Sequence, residues 1–239
     1  MASSIVYNED CMSGMRQYPD KYFELAIVDP PYGINASNMQ MGNHPTRLHK
    51  DGSGPGVSTA VKLKKGRLNS GGGHFAGKNL TKMNCDWDME IPNEEYFIEL
   101  KRVSKNQIIW GSNYFPLPPT RCMVCWDKKQ PWDNFSQIEL AWTSFDYPAK
   151  LISLSNRGGA NDESKIHPTQ KPILVYRWLL DQFASEGDKI LDTHLGSGSS
   201  RIAASDMGFD FIGYELDKNY FDASVKRFEQ FQSQQKLFS

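Results

Sequence analysis

The chain lacks any long apolar run. No stretch reaches the roughly 18 consecutive apolar residues that a membrane-spanning helix needs, so neither a spanning helix nor a membrane partner is expected. The opening residues, Met1-Ala2-Ser3-Ser4-Ile5-Val6-Tyr7, carry neither a basic nor an apolar segment, and no secretory signal is expected. Cysteine is scarce, with four residues at 11, 85, 122 and 125. Scattered through 239 residues, they make no disulfide framework and suit a reducing cytoplasm. Net charge is nearly absent too, with 27 Lys+Arg against 28 Asp+Glu. That balance, taken alone, argues mildly against nucleic-acid binding. Core-forming residues are plentiful: 39% of the chain is hydrophobic and 12% aromatic, which excludes a disordered protein and allows a sizeable core.

The charge is unevenly spread. Between His44 and Lys82 stand eight basic residues (Arg47, Lys50, Lys62, Lys64, Lys65, Arg67, Lys78, Lys82) and one acid, Asp51. This segment carries +7 and the rest of the chain −8. It also holds Asp51-Gly-Ser-Gly-Pro-Gly56 and Gly71-Gly-Gly73, with little helix or strand periodicity. A loop of this length inside a compact domain is usually functional or disordered. Residues 34–85 are therefore predicted to form a mobile basic insertion. It is either solvated surface or an arm that grips phosphates and orders on binding.

Elsewhere short apolar runs alternate with amphipathic segments, the pattern of an α/β sheet. Seven strands are predicted, at 5–7, 25–28, 107–110, 122–126, 138–143, 189–191 and 211–214. Helices are predicted near 93–104, with Asn93 as N-cap, and at 170–184, capped by Thr169 with Pro172 in the first turn. Two more cover 199–207, ended by Gly208, and 218–232, where Phe221, Val225 and Phe228 form one apolar stripe. There is no internal repeat, and a single domain over 1–239 is the economical reading.

The strongest chemical signal follows the second strand: Ala26-Ile27-Val28-Asp29-Pro30-Pro31-Tyr32-Gly33. A buried strand that delivers an acid into a rigid Pro-Pro turn presents it at the carboxyl edge of the sheet, where open α/β folds bind ligands. Two prolines remove two N–H donors, so the Asp29 carboxylate and the Pro30 carbonyl form an acceptor-only pair. Such a pair suits an amine with two hydrogens, and Tyr32 adds a flat face on which a base can stack. The plainer reading is an ordinary strand-to-loop turn. A second signal is Lys189-Ile-Leu-Asp192-Thr193-His194-Leu195-Gly196-Ser197-Gly198-Ser199-Ser200, a strand running through a glycine turn into a helix, with Glu215 ending the next strand. Glycines allow close approach of a ligand, and a carboxylate at the following strand end accepts from ribose hydroxyls. A dinucleotide fingerprint would need glycine at 201, where Arg201 stands. Nicotinamide and flavin are therefore disfavoured, and an adenosine cofactor without pyrophosphate fits better.

Asp29-Pro-Pro-Tyr32 together with Asp192 and Gly196-Ser-Gly198 resembles the amino-group DNA methyltransferases that use S-adenosylmethionine. The order of these motifs is similar to the permuted β class of adenine-N6 and cytosine-N4 enzymes, in the small form found in phages and prophages. The resemblance implies a Rossmann-like methyltransferase domain with a seven-stranded, mostly parallel sheet and helices on both faces. Asn8-Glu9-Asp10-Cys11 is similar to the family's N-terminal acidic motif, which would place Asp10 and Cys11 at the cofactor's adenine. His167-Pro-Thr169-Gln-Lys171-Pro172 is similar to the segment that helps hold the methionine end, and Trp110-Gly-Ser-Asn113-Tyr-Phe115 to a strand end lining the cleft. The implied cofactor set is Asp10, Cys11, Asp29, His167, Thr169, Lys171, Asp192, His194, Gly196, Ser197, Gly198, Ser199, Glu215 and Leu216. The implied catalytic set is Asp29, Pro30, Pro31 and Tyr32. The chain departs from the family in reading Asp192-Thr193-His194-Leu195 where Asp-Pro-Phe-x is common, so His194 either covers the cofactor or is a loop histidine.

The implied chemistry is simple. An exocyclic adenine amine is a poor nucleophile because its lone pair is conjugated into the ring. Hydrogen bonds to Asp29 and to the Pro30 carbonyl would pull the nitrogen toward tetrahedral geometry, and holding it near the sulfonium methyl supplies much of the rate. The base must leave the duplex, with Tyr32 stacking on it. Double-stranded DNA is thus the implied partner, a homodimer is compatible, and no metal is required. Cytosine-N4 relatives more often carry Ser at the Asp29 position, which favours adenine. Cytosine N4, an RNA base, a protein glutamine, and a non-catalytic nucleic-acid binder remain the competing readings. Cys122-Met-Val-Cys125 has no second pair and lies in an alternating strand, so it is not read as a metal site. The stretch from Asp127 to Phe135 mixes charge with aromatics and is read as a DNA contact or a surface turn, while Trp142 and Trp178 are assigned to the core.

Overall fold

The computed structural model describes residues 2–34, 40–41, 66–67, 88–129, 136–155, 166–167 and 169–235. Its strands are β1 (Ser4–Tyr7), β2 (Phe23–Val28), β3 (Gln40–Met41), β4 (Gly66–Arg67), β5 (Ser104–Trp110), β6 (Met123–Asp127), β7 (Ile138–Thr143), β8 (Lys150–Ser153), β9 (Lys189–Asp192) and β10 (Asp210–Tyr214). Its helices are α1 (Cys11–Met15), α2 (Glu94–Val103), α3 (Ile173–Phe183), α4 (Ser199–Asp206) and α5 (Lys218–Gln235).

Eight of the strands form one sheet in the order β1-β10-β9-β2-β5-β7-β6-β8. From β1 to β5 every pairing is parallel, and β7 runs antiparallel to both β5 and β6. This is the mostly parallel α/β sheet expected, with one strand more than predicted. The added strand is β8, parallel to β6 at the sheet edge. Among its four residues only Ile152 is buried, too little apolar pattern to mark a strand in sequence. β3 and β4 form a separate antiparallel pair.

β2 and β5 lie at the centre; β2 is apolar except for Glu24, and β5 is apolar over Ile108, Ile109 and Trp110, where both faces are covered. Leu25 and Ile27 join Val175 and Leu179 of α3 and Ala203 and Ala204 of α4 on one face. Ala26 and Val28 point the other way, into a layer with Tyr96, Leu100 and Val103 of α2 and Met15 of α1. Trp142 is buried in that second layer, and Trp178 packs partly buried against the first.

Asn93 caps α2 as expected, its side chain accepting from the Tyr96 N–H at 3.0 Å. The start of α3 differs from expectation. Pro172, not Thr169, occupies the N-cap, because a residue before proline is driven out of helical geometry and Lys171 cannot join the first turn. The five-residue α1 is too short to show a periodicity, but Asp10 caps it by accepting from the Ser13 N–H at 3.0 Å. Arg201, at the position where a dinucleotide fold needs glycine, donates to the Ser4 side chain and ties α4 to edge strand β1.

Candidate active site

The parallel strands β1, β10, β9, β2 and β5 all end at one edge of the sheet, and the sequence motifs sit there in strand order. β2 delivers Asp29-Pro30-Pro31-Tyr32 as the chain leaves the core, with Pro30 itself buried. The turn is pinned by Asp88, whose Oδ1 accepts from the backbone N–H of Tyr32 at 2.6 Å and of Gly33 at 2.9 Å. Tyr32 then folds back so that its hydroxyl donates to Asp29 Oδ1 at 2.6 Å. The other oxygen, Oδ2, is held by the Lys171 ammonium.

Lys171 is buried, and its Nζ also lies 3.2 Å from Glu139 Oε2 on β7 and 3.3 Å from the Tyr32 hydroxyl. Glu139 in turn pairs through Oε1 with Lys128, just beyond β6. Burial disfavours the charged form of Lys171, but Asp29 and Glu139 outweigh it and raise the ammonium above its ordinary value. Burial likewise pushes Glu139 up, and Lys171 and Lys128 overcome it and hold the carboxyl below the usual range. Burial, reinforced by the Asp29 charge, raises the Tyr32 phenol well above its ordinary value.

The Tyr32 ring is fixed by its neighbours as tightly as its hydroxyl. It stacks on Tyr114, with ring centres 5.0 Å apart and planes 15° from parallel, and meets Phe115 edge-on. Gly111, at the end of β5, adopts φ +72°, and a Cβ there would stand 2.1 Å from Tyr32 Cε1. Glycine at this position is what lets the ring seat.

Next to this turn lies the glycine turn after β9. Asp192 Oδ1 accepts from the His194 N–H at 3.0 Å, and Oδ2 accepts from the Ser200 hydroxyl at 2.5 Å. Burial lifts its carboxyl to about 7 against those two donors, with Asp29 and Glu215 adding repulsion. Thr193 Oγ1 bonds the Tyr96 hydroxyl at 2.6 Å and lies 2.9 Å from His194 Nδ1. The His194 ring stands edge-on to Tyr96 with centres 5.4 Å apart, and burial holds it down at about 4.

Gly196 and Gly198 both take positive φ, and Gly198 opens α4. Glu215 closes the turn: Oε2 accepts from the Gly196 N–H at 2.8 Å and Oε1 from the Asp217 N–H at 2.9 Å. Burial raises its carboxyl despite these bonds. Ser197 is fastened by Arg227 of α5, which donates to its carbonyl at 2.7 Å, and Ser199 shares that guanidinium at 3.0 Å. Leu216 is strongly exposed beside this rim. His167 packs on Tyr220 with ring centres 4.4 Å apart, Thr169 Oγ1 lies 3.1 Å from its Nδ1, and burial plus the Lys171 charge lower it to about 3. Cys11 lies at the start of α1, its thiol raised to about 12 by burial and by Asp10.

Thus the residues singled out in the sequence gather at one rim, in two adjoining groups around Asp29 and around Asp192. Lys171, grouped by resemblance with the cofactor's methionine end, has its ammonium on the Asp29 carboxylate. Sequence reasoning missed Asp88, Tyr96 and Glu139 as contributors, and read Lys128 within the Asp127–Phe135 stretch as a DNA contact or surface turn, where the structure pairs it with Glu139. Glu139 carried a signal, a lone acid inside an apolar strand, whereas Asp88 and Tyr96 carried none. Most of 34–85 and residues 130–135 lie outside the described residues. Among the described residues no cluster of His, Cys, Asp and Glu is placed to hold a metal, and no helix is long and apolar enough to cross a membrane.

The family model for N6/N4 methylases, described as "DNA methylase", matches residues 104–226, just over half of the chain. The chain belongs to this family. The match takes in β5 through the first half of α5, and so includes Glu139, Lys171 and the whole glycine turn. Type II methyltransferase M2.DpnII of Streptococcus pneumoniae is 40% identical over 63 residues, 26% of this chain and 24% of that protein. The match therefore spans about a quarter of that relative's length. Two solved structures show the same fold. PvuII DNA methyltransferase, cytosine-N4-specific, has a TM-score of 0.54 at 12% identity, covering 98% of this chain and 92% of that one. TTHA0409, a putative DNA modification methylase of Thermus thermophilus complexed with S-adenosyl-L-methionine, has a TM-score of 0.51 at 15% identity, covering 97% and 94%.

Proposed function

We propose that the chain is a DNA methyltransferase that moves a methyl group from S-adenosylmethionine to the exocyclic N6 of an adenine flipped out of the duplex. The observation that carries this reading is the Asp29-Pro30-Pro31-Tyr32 turn at the end of β2, beside a glycine turn at the end of the adjacent β9. Family membership supports methyl transfer to DNA.

The residues present suit the cofactor. Glu215 offers lone pairs beyond those engaged by Gly196 and Asp217, as ribose hydroxyls require, and Leu216 offers an exposed apolar side chain beside it. Asp10 and Cys11 would hold the adenine end, and His167 and Thr169 the methionine end, with the turn from Asp192 to Ser199 between them. When bound, S-adenosylmethionine supplies an electrophilic methyl on sulfur. The chain does the rest. Asp29 and the Pro30 carbonyl would accept hydrogen bonds from the two amine N–H groups, which frees the nitrogen lone pair, and Tyr32 would stack on the base. The thioether leaves as the methyl is transferred, and the methylated amine gives up one proton. The presence of Asp at position 29 favours adenine over cytosine. The basic 44–82 segment supplies charge for phosphates, and the Asp127–Phe135 stretch is a second DNA contact in this reading.

Two measurements test the reading. Titration calorimetry with S-adenosylmethionine should show binding, and sequencing of DNA from expressing cells should show N6-methyladenine at a defined site. N4-methylcytosine would overturn the choice of base, and an unmodified genome the reading itself. Asp29→Ala should abolish methyl transfer while keeping cofactor affinity, a loss on the order of 100- to 1000-fold, as for other preorganised polar groups at reacting centres. Wild-type transfer by that variant would remove Asp29 from the mechanism.

A further inference from the structure

We infer that Lys171 and Glu139 are a positioning pair for Asp29, and that Lys171 thereby serves the amine-activating turn. This rests on the proposed methyl transfer and adds two residues to it. The Asp29 carboxylate has one oxygen on a hydroxyl and one on an ammonium. These two partners differ in how readily they leave. Tyr32 holds Oδ1 with a neutral hydroxyl whose O–H can turn away, whereas Lys171 holds Oδ2 with a buried charge kept in place on several sides. Glu139 lies 3.2 Å from its ammonium, and the Trp110 ring centre lies 5.1 Å away. Lys171 therefore fixes the carboxylate plane and leaves Oδ1 as the oxygen available to an incoming amine.

Glu139 corrects what Lys171 alone would do. An isolated Asp29–Lys171 pair is neutral and a weak acceptor for a nitrogen that gains positive charge as the methyl group arrives. Glu139 shares the Lys171 ammonium with Asp29, so less of that positive charge falls on Asp29 and its carboxylate stays a better acceptor for the reacting nitrogen. Lys128 pairs with the far oxygen of Glu139 and keeps that carboxylate ionised next to Lys171. Lys171 lies 142 residues from Asp29 in sequence, in the segment leading into α3, and Glu139 is on β7, so only the tertiary fold assembles the trio.

The test measures methyl transfer to duplex genomic DNA and, separately, S-adenosylmethionine affinity by calorimetry. Lys171→Met should lower kcat by about 100-fold, the cost of disturbing a preorganised polar site, with cofactor Kd and the KM for DNA within about threefold. Lys171→Arg, which keeps the charge, should recover part of the loss. Glu139→Gln should lower kcat roughly tenfold through the lost charge. In the Lys171→Met background it should add nothing, because Glu139 acts through Lys171.

Weaker cofactor binding in Lys171→Met with kcat intact at saturation would assign Lys171 to the cofactor and overturn the inference. Additive losses would overturn the pairing. If Lys171→Met does not fold, Glu139→Gln decides the matter, since an unchanged kcat there sinks the proposal. A wild-type chain that transfers no methyl group to DNA fails at the earlier step, and the inference falls with it. An active wild type with an equally active Lys171→Met variant removes the inference alone.

Discussion

Tyr32 and Asp29, three residues apart, share a hydrogen bond of 2.6 Å from phenol to carboxylate. The oxygen it occupies is the one that a substrate amine requires under the proposed mechanism, so base entry must turn the phenol O–H away from Asp29 and leave the ring face for stacking. Tyr32→Phe should therefore keep methyl transfer within about threefold of wild type, because stacking needs only the ring face. Tyr32→Ala should lose about 1–3 kcal/mol of base stacking, roughly ten- to hundredfold in affinity for DNA carrying a flipped base. Fluorescence of 2-aminopurine at the target position reads this directly. Equal damage from Phe and Ala would assign the hydroxyl, and not the ring, to the reaction.

Gly111 is the second control on that ring. Gly111→Ala would place a methyl group against Tyr32 and force a positive φ on a residue with a Cβ. The backbone strain alone costs roughly 1–2 kcal/mol. Thermal unfolding should show a fall in Tm of several degrees, and methyl transfer should drop further than stability because the ring is displaced. A variant with wild-type transfer would show that the Tyr32 position is not critical.

Two histidines and one aspartate give the rim a definite pH response. Burial holds His194 at about 4 and His167 at about 3, against about 6.5 for the unfolded chain. As pH falls below about 6.5 the unfolded chain binds protons on both rings before the folded chain does, so their contribution to stability is complete above 6.5 and is lost on acidification. Asp192 acts with the opposite sign. Its carboxyl is lifted to about 7 against about 3.9 unfolded, so its contribution is full at acid pH and is lost as pH rises through 7. Urea unfolding across pH 4–7 should thus show a steeper acid loss in wild type than in a His167→Gln/His194→Gln variant, by about two protons. Parallel curves would mean that the rings titrate alike in both states.

Deleting residues 44–82 removes a net +7 from the chain. The slope of log affinity for DNA against log salt should flatten by about 0.9 for each phosphate that the shortened chain no longer neutralises, with cofactor affinity intact. An unchanged slope would make this segment a solvated insertion.

The chemistry of the rim was legible in the sequence because it is local. A strand ending in Asp29-Pro30-Pro31-Tyr32 and another ending in the Asp192–Gly198 turn announce themselves by periodicity followed by residues that fix or free the backbone. Asn93 was readable as a cap for the same reason. β8 was not, because an edge strand with one buried residue has no pattern to read.

The sequence by itself determined which elements form and which of their ends carry acceptors, glycines and aromatic rings, since these depend on neighbours a few residues away. Only the tertiary structure decided what those ends face. Asp88 beneath the Tyr32 turn, Lys171 on Asp29 and Glu139 behind Lys171 are brought together by the order β9-β2-β5-β7 and by the segment leading into α3. That order is set by packing over the whole sheet. A buried ammonium choosing between two carboxylates is fixed by the low dielectric around it, which no local pattern records.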